Sequence, residues 1–304
     1  MPEYPDVTVY IERLEAMLSG RTLEGIRVAS PFVLRTVDPP LGELHGRVVN
    51  GFERIGTRIV WRFEGDLFLV IHLMIAGRLH WRRPQAALSK RNGLAAFDFE
   101  TGTLIFGEAS RKKRASMHVV RGRDALGDFD RGGLELMGAS TSEFAEAMRA
   151  ENHTLKRALT DPRILSGIGN AYSDEILHRA RMSPFKQTRS MSDDDLAALH
   201  RAAIDVLEEW TTRLREGVGD GFPEKVTAFR PEMAVHGRYR EPCPVCGKAV
   251  QRIRYADNEA NYCAQCQTGG KLLADRSLSR LLKQSWPRTL EELEERRSPK
   301  KPSR

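Results

Sequence analysis

Cys243-Pro-Val-Cys246, followed after sixteen residues by Cys263-Ala-Gln-Cys266, holds every cysteine of the chain and decides how its C-terminal part folds. Two CxxC pairs at this separation suit a tetrahedral site in which four thiolates take one zinc ion. Each pair must form a tight knuckle that turns backbone amides towards sulfur, and Gly247 directly after the first pair permits that turn. Between the pairs, Val250 to Tyr255 and Asn261-Tyr262 read as the arms of a β-hairpin. Four protein ligands leave no position for water or substrate, so the expected zinc, one per chain, is structural. Redox pairs or unmetallated thiols are the weaker alternatives, because the spacing is that of a metal site and no other cysteine is present. Arg238, Arg240, Lys248, Arg252, Arg254 and Lys271 surround the pattern and suit a phosphate backbone, although each alone reads equally as a solvated surface cation.

Upstream, a loop rich in Gly, Phe and Pro follows Gly217, and before it Ser192-Asp-Asp-Asp caps a long helix. Leu196, Leu199, Ala203, Val206, Leu207, Trp210 and Leu214 mark the buried face of that helix. Gly167-Ile-Gly169-Asn170 precedes another helical stretch, while Leu155 to Leu159 ends the one before it. Such a turn brings backbone close at a helix start, where free amides favour a phosphate and Asn170 could cap the helix or bond the ligand. It lacks the spacing and Lys-Ser/Thr of a nucleotide loop, which argues against ATP.

Between Ile26 and Val120 short apolar runs alternate with turn residues, as in Arg58-Ile-Val-Trp-Arg-Phe, Glu64-Gly-Asp, then Leu67-Phe-Leu-Val-Ile-His-Leu. These are hairpin-connected strands of a sandwich or barrel. Val7, Ile11, Leu14 and Leu18 recur at helical steps and predict one amphipathic helix from Asp6 to Leu18 against the sheets. Arg121 to Ser140, where Gly, Asp and Arg replace β-branched residues, reads as a linker, and Glu291 to Arg304 as a disordered, partly basic tail.

Composition narrows the partner. With 304 residues, 40% hydrophobic, and 48 Lys+Arg against 41 Asp+Glu, the chain carries a net charge of +7. A wholly disordered chain, a collagen and a disulfide-stapled miniprotein are excluded, and a polyanion such as nucleic acid is favoured. The N-terminus lacks a basic leader and an apolar run, and Leu67 to Gly77, interrupted by His72, is too short to span a bilayer. The expectation is a cytoplasmic, nucleoid-associated protein with no signal peptide and no membrane partner.

The chain begins Met1-Pro2-Glu3-Tyr4-Pro5-Asp6, so removal of Met1 would expose a secondary amine at Pro2. An α-amino group with pKa near ~8 is about a tenth neutral at pH 7, far more than a lysine near ~10.4. Such an amine can attack a sugar carbon, and Glu3 beside it can shuttle protons. Taken alone this start carries little weight, because many proteins begin Met-Pro and the default reading is a disordered or merely structural terminus.

Together and in this order, MPEYPDV, IHLMIAGRL from Ile71 to Leu79, Lys156 followed by LSGIGNAYSDEILHRARMSP, and HGRYREPCPVCG with YCAQCQ resemble the formamidopyrimidine-DNA glycosylase/endonuclease VIII family. The matches span most of residues 1 to 267. The resemblance implies an α+β multidomain protein with duplex DNA in a cleft between its halves. Its parts would be an N-terminal β-sandwich with flanking helix at 1–135, a helical helix-two-turn-helix domain at 136–235, a zinc β-hairpin at 236–285 and a basic tail at 286–304. It further implies Pro2 as nucleophile at C1′ of an everted damaged nucleotide and Glu3 as proton donor and acceptor, with loss of base followed by strand cleavage at the abasic site. Lys156 and Asn170 match phosphate-contacting positions, and Asp6 stands where the family has Glu near the lesion pocket.

Departures accompany these matches. The family's strand lysine corresponds to Arg58, fourteen residues before His72, and the arginine five residues before the third cysteine is Asn258, leaving Arg252 or Arg254 to supply that phosphate contact. The methionine that fills the gap left by an everted base corresponds to Ile75, and the Arg-Phe loop is replaced by Ser110-Arg-Lys-Lys-Arg114. With no aromatic wedge, weak opposite-base discrimination is expected, and the basic run is as readily an exposed rim as a grip on the opposite strand or on single-stranded DNA. The loop from Glu216 to Ala234 is shorter than the lesion-capping loop of the 8-oxoguanine branch, which leans towards oxidised pyrimidines and ring-opened purines. The expected protein is a monomeric bifunctional glycosylase and abasic-site lyase. The alternative is a catalytically impaired damaged-DNA-binding protein, and a third reading, a zinc-ribbon RNA binder, leaves the N-terminal motif unexplained.

Overall fold

The computed structural model describes residues 1–254, 258–274 and 287–297. The chain divides into two compact units, residues 1–135 with 207–228, and residues 136–206 with 229–304.

The first unit starts with α1 (Tyr4–Leu18), whose Val7, Tyr10, Leu14 and Leu18 are fully buried at the spacing of one helical face. The helix begins two residues earlier than the apolar periodicity predicts, because Pro5 is tolerated in a first turn. Eight strands follow: β1 (Gly25–Val28), β2 (Val49–Ile55), β3 (Arg58–Phe63), β4 (Leu67–His72), β5 (Gly77–Arg82), β6 (Gly93–Phe99), β7 (Gly102–Glu108) and β8 (Ser116–Arg121). They form two antiparallel four-stranded sheets, ordered β1-β6-β7-β5 and β2-β3-β4-β8.

One aromatic cluster joins the sheets face to face. Trp61 of β3 is fully buried, with ring centroids 5.1 Å from Phe52 on its own sheet, and 5.0 and 6.4 Å from Phe97 and Phe99 on the other. Rings of this size each bury ~150–250 Å² and dominate a core's energetics. The outer face of the β3–β4 sheet has a smaller cover of its own, where Val60, Phe68 and Val70 meet Leu126. That second buried face explains why these strands read as near-continuous apolar runs rather than alternating ones.

The second unit opens with α2 (Thr141–Arg149), capped reciprocally by Ser140 Oγ, which accepts from the Glu143 amide, and by Glu143, which accepts from the Ser140 amide at 2.8 Å. Next come α3 (Leu155–Thr160), α4 (Asn170–Arg179) and α5 (Asp193–Val218). The Ser192 cap of α5 forms as its sequence requires: its Oγ accepts from the Asp195 amide at 3.1 Å, and Asp195 accepts from the Ser192 amide. Strands β9 (Gln251–Arg254) and β10 (Glu259–Tyr262) pair antiparallel, with Arg252 opposite Asn261, and α6 (Ala264–Thr268) carries the last cysteine.

Within the stretch expected as the helical domain, 136–235, residues 207–228, the second half of α5 and the segment after it, are grouped with the β-sheet unit. Phe222 and Val226 explain this, since both pack against the sheet core. The expected tail at 286–304 contains a helix, Leu290–Arg297, where Leu290 is buried against Ile253, Tyr262 and Leu272 and Glu294 pairs with Lys248. Its apolar anchor was hidden by the surrounding acidic and basic residues. Residues 255–257, 275–286 and 298–304 lie outside the described residues, and with them the rest of the expected hairpin arm and tail.

Candidate active site and nucleic-acid interface

In the first unit, the chain start is an enclosed cluster. Pro2 is buried, Glu3 is 2% exposed and Asp6 is 3% exposed, while Met1 remains accessible. The Glu3 amide donates to Asp6 Oδ2 at 3.0 Å, which fixes the first turn of α1 and with it the entry angle of Pro2. With Met1 in place, burial lowers the pKa of the terminal ammonium. Arg78 adds to that effect, and Glu3 and Asp6 oppose it. The surroundings therefore favour a neutral amine, the form that can act as a nucleophile.

The turn between β4 and β5 presents Ile75, 61% exposed, the position the sequence assigns to filling the space of an everted base. The turn is tight. The Gly77 amide donates to Leu73 O at 2.8 Å, and a Cβ at Gly77 would lie 2.2 Å from that same oxygen, so only glycine fits. Arg58 opens β3 directly opposite His72 of β4. It is half-buried and donates to Phe129 O at 3.0 Å, so its guanidinium is partly committed within the protein. Burial lowers its pKa, and burial together with Arg58, His118 and Arg131 pushes His72 down to about 4, so the imidazole is neutral at physiological pH. The Ser110–Arg114 run is a rim tied at its base, where buried Glu108 accepts from the amides of Arg114 and Ala115 at 2.9 and 3.1 Å.

In the second unit a cleft of about 980 Å³ brings together Lys156, Asn170, Arg254 and Asn258, four of the positions proposed from sequence. Arg157, exposed and on the same cleft, was missed because a lone arginine after Lys156 carries no motif. Lys156 itself requires a correction. Its Nζ donates to Asn170 O, Ser173 Oγ and Asp174 Oδ1 at 2.7, 2.8 and 2.6 Å, which uses the three donors of an ammonium inside the protein. It holds the glycine turn in shape and has no donor left for a phosphate. Asn170 does not cap α4, since Gly169 takes that position, and its Nδ2 donates to Glu259 O at 2.9 Å, tying α4 to β10. Gly167 adopts φ +82°, the left-handed conformation that made this turn legible. Of the two arginines offered in place of the family's knuckle arginine, Arg254 lines the cleft. Arg252 instead lies over the Tyr239 ring at 4.2 Å and pairs with Glu259.

Behind the cleft lies a buried ionic network. Asp174, 1% exposed, takes Lys156 on one oxygen, and His236 Nδ1 at 2.8 Å and the Asn261 amide at 3.1 Å on the other. Glu175 accepts the amides of Ala234, Val235 and His236 at 2.7, 2.9 and 2.9 Å, and burial nonetheless raises its pKa. The pair thus staples α4 to the 234–236 segment and to β10. Replacing Asp174 by Ala would leave Lys156 as a buried charge without its counter-ion. A loss of about 3–5 kcal/mol is expected in urea unfolding followed by circular dichroism. A loss below about 1 kcal/mol would show the network to be dispensable.

The cysteines meet the geometric test for zinc. All four Sγ atoms lie within 4.8 Å of one another, with Cys246–Cys263 at 3.4 Å and Cys243–Cys266 at 3.9 Å. Zn–S bonds of ~2.3 Å in a tetrahedron place sulfurs about 3.8 Å apart. His178 Nε2 lies 3.3 Å from Cys243 Sγ, so it is a neighbour of a ligand rather than a ligand.

Comparison with known proteins gives this geometry its family. Residues 1–114 match the formamidopyrimidine-DNA glycosylase N-terminal domain, 136–218 its H2TH domain, and 240–269 a zinc finger found in FPG and IleRS. A formamidopyrimidine-DNA glycosylase of Desulforamulus reducens is 30% identical over 88% of this chain and 99% of its own length. The chain belongs to the formamidopyrimidine-DNA glycosylase family. An uncharacterized formamidopyrimidine-DNA glycosylase-like protein of Mycobacterium tuberculosis is 42% identical over 50% of this chain and 94% of its own. The fold matches that of Lactococcus lactis Fpg in complex with DNA containing an abasic site, with TM-score 0.77 and 24% identity over 88% of this chain and 99% of that one.

The glycosylase family is one of DNA-repair enzymes, and the chain's two sheets, H2TH helices and four-cysteine zinc finger are its fold. The cysteine cluster fits zinc binding within it. No helix among the described residues is long and apolar enough to cross a membrane. Sequence reasoning missed Asp174 and Glu175, since two acids in a helix look like a solvated face. Only their spacing after the glycine turn, at the start of α4, hinted otherwise.

Proposed function

We propose that this glycosylase removes oxidised or ring-opened bases from duplex DNA and then cleaves the abasic strand, using the Pro2 amine as nucleophile. The observation that carries the reading is the enclosure of Pro2 and Glu3 at the start of α1. After Met1 is removed, the proline nitrogen attacks C1′ of an everted nucleotide, the glycosidic bond breaks, and the base leaves with a proton. The nitrogen lone pair then opens the sugar ring, breaking C1′–O4′ as O4′ takes a proton, and the resulting C1′ iminium acidifies the C2′ proton. Loss of that proton expels the 3′ phosphate in a β-elimination, and a second elimination releases the 5′ side. Glu3 donates and accepts the protons of these steps, and Asp6 borders the lesion pocket.

Cys243, Cys246, Cys263 and Cys266 hold one structural zinc, whose contribution is to fold the hairpin. On the second unit, Asn170, Arg254, Asn258 and Arg157 line the cleft that receives the phosphate backbone, and on the first unit Arg58 contributes part of its guanidinium. Ile75 occupies the space left by the everted base, and with no aromatic wedge beside it the enzyme discriminates weakly between opposite bases. It acts as a monomer in the cytoplasm, at the nucleoid.

A panel of duplexes carrying oxidised pyrimidines or ring-opened purines, each with the opposite base varied, tests the reading. For Glu3→Gln, base release falls about 10²–10⁴-fold while DNA binding persists. Unchanged turnover would remove Glu3 from its role, and no release from any duplex by the wild type would overturn the enzymatic reading.

A further inference from the structure

The loop between β7 and β8 carries Arg111, Lys112, Lys113 and Arg114 in succession, all four exposed. Among the described residues none of them forms an ion pair, and only Lys113 has a side-chain hydrogen bond, from Nζ to Glu108 O. Adjacent like charges repel one another, so the run mildly disfavours the free protein and is relieved by a polyanion.

The backbone beneath these cations is fixed by bonds that use none of the side chains of Arg111, Lys112 and Arg114. Glu108 of β7 pairs with Gly77 of β5, and the Ala109 amide donates to Ala76 O at 3.4 Å. The buried Glu108 carboxylate accepts the Arg114 and Ala115 amides at 2.9 and 3.1 Å, and Ser110 Oγ accepts the Lys112 amide at 3.2 Å. Ala76 and Gly77 follow the exposed Ile75 directly, so the apolar tip and the four cations hang from one hydrogen-bonded frame. An apolar side chain enters a base step, whereas cations beside it hold phosphates and are blind to base identity. A loop of four residues spans at most about 14 Å, which matches about four base steps of a duplex.

We propose that residues 111–114 are a phosphate clamp, which grips the duplex backbone within about four nucleotides of the everted base while Ile75 enters the gap. The proposal rests on the reading of Ile75 as the residue that fills that gap. Charge takes the place of stacking here, so the grip is the same whichever base stands opposite the lesion.

Binding of the full-length protein to duplexes carrying a stable abasic-site analogue, read by fluorescence anisotropy over a range of KCl concentrations, tests this. In the triple variant Arg111→Gln, Lys112→Gln, Arg114→Gln, the slope of log Kd against log salt should fall by about 2–3, equally for all four opposite bases. Arg21→Gln, which removes an exposed cation beyond the end of α1, should change the slope by less than about 0.3. Single methylphosphonates, each removing one phosphate charge, then locate the contact without altering the protein. Those within about four nucleotides of the lesion should weaken wild-type binding about three- to tenfold and have no further effect in the triple variant. An unchanged slope, or methylphosphonate effects that are the same in both proteins, would make the run a solvated rim and overturn the inference. So would a loss of affinity confined to single-stranded oligonucleotides. A wild type that releases no base from any duplex, yet whose slope still exceeds that of the triple variant, would bring down the glycosylase reading and leave the clamp standing.

Discussion

A form of the protein that retains Met1 should trap no covalent adduct with abasic DNA. The reason is local to one atom. In the processed chain the Pro2 nitrogen is a secondary amine with a lone pair, whereas behind Met1 it is a tertiary amide whose lone pair is delocalised into the carbonyl. The nearest chemical substitute is a lysine, and at pH 7 an amine with pKa near ~10.4 is neutral about two hundred times less often than one near ~8. Adduct formation should therefore fall by at least about two orders of magnitude. Lys156 is no substitute, because its ammonium is already bound to Asp174, Ser173 and the Asn170 carbonyl. Undiminished trapping by the Met1-retaining form would refute the assignment of Pro2.

Stripping zinc is the second large perturbation. Structural zinc in finger peptides contributes about 10–16 kcal/mol of apparent binding free energy that is also folding free energy. Here the cysteines tie the 243–247 knuckle to α6, and Cys243, Val235, Val250 and Cys263 form one small buried cluster. Chelation, or Cys263→Ser, should unfold the hairpin and abolish DNA binding. The sheet core of the first unit, built around Trp61 and α1, should keep its near-ultraviolet signal. Release of zinc measured with a chromogenic chelator should track the loss of binding. Protein that is free of zinc as purified and melts unchanged after chelation would contradict this.

Much of the architecture was legible because the signals were periodic or invariant in chemistry. The apolar steps of α1, the alternating runs and turns of the sheets, the Ser192 cap and the paired CxxC knuckles each report local geometry directly. What stayed hidden depends on tertiary partners. Lys156 looked like a phosphate contact because the sequence cannot show that Asp174 waits one helix away, and Arg252 looked equivalent to Arg254 because strand alternation does not say which face meets Tyr239. The Leu290–Arg297 helix was missed for the same reason. A charged segment with one buried leucine reads as a tail until Ile253 and Tyr262 are seen beneath it. At the candidate active site, residue identities were readable from the first six positions, but the balance of Glu3 and Asp6 against Arg78 required the fold.

Tandem mass spectrometry of the borohydride-reduced complex between the wild-type protein and abasic DNA is the most direct test. The account predicts that Met1 is absent and that a deoxyribose remnant is carried on the nitrogen of Pro2. A remnant on any lysine, or a native terminus that still bears Met1 in an active preparation, would contradict it.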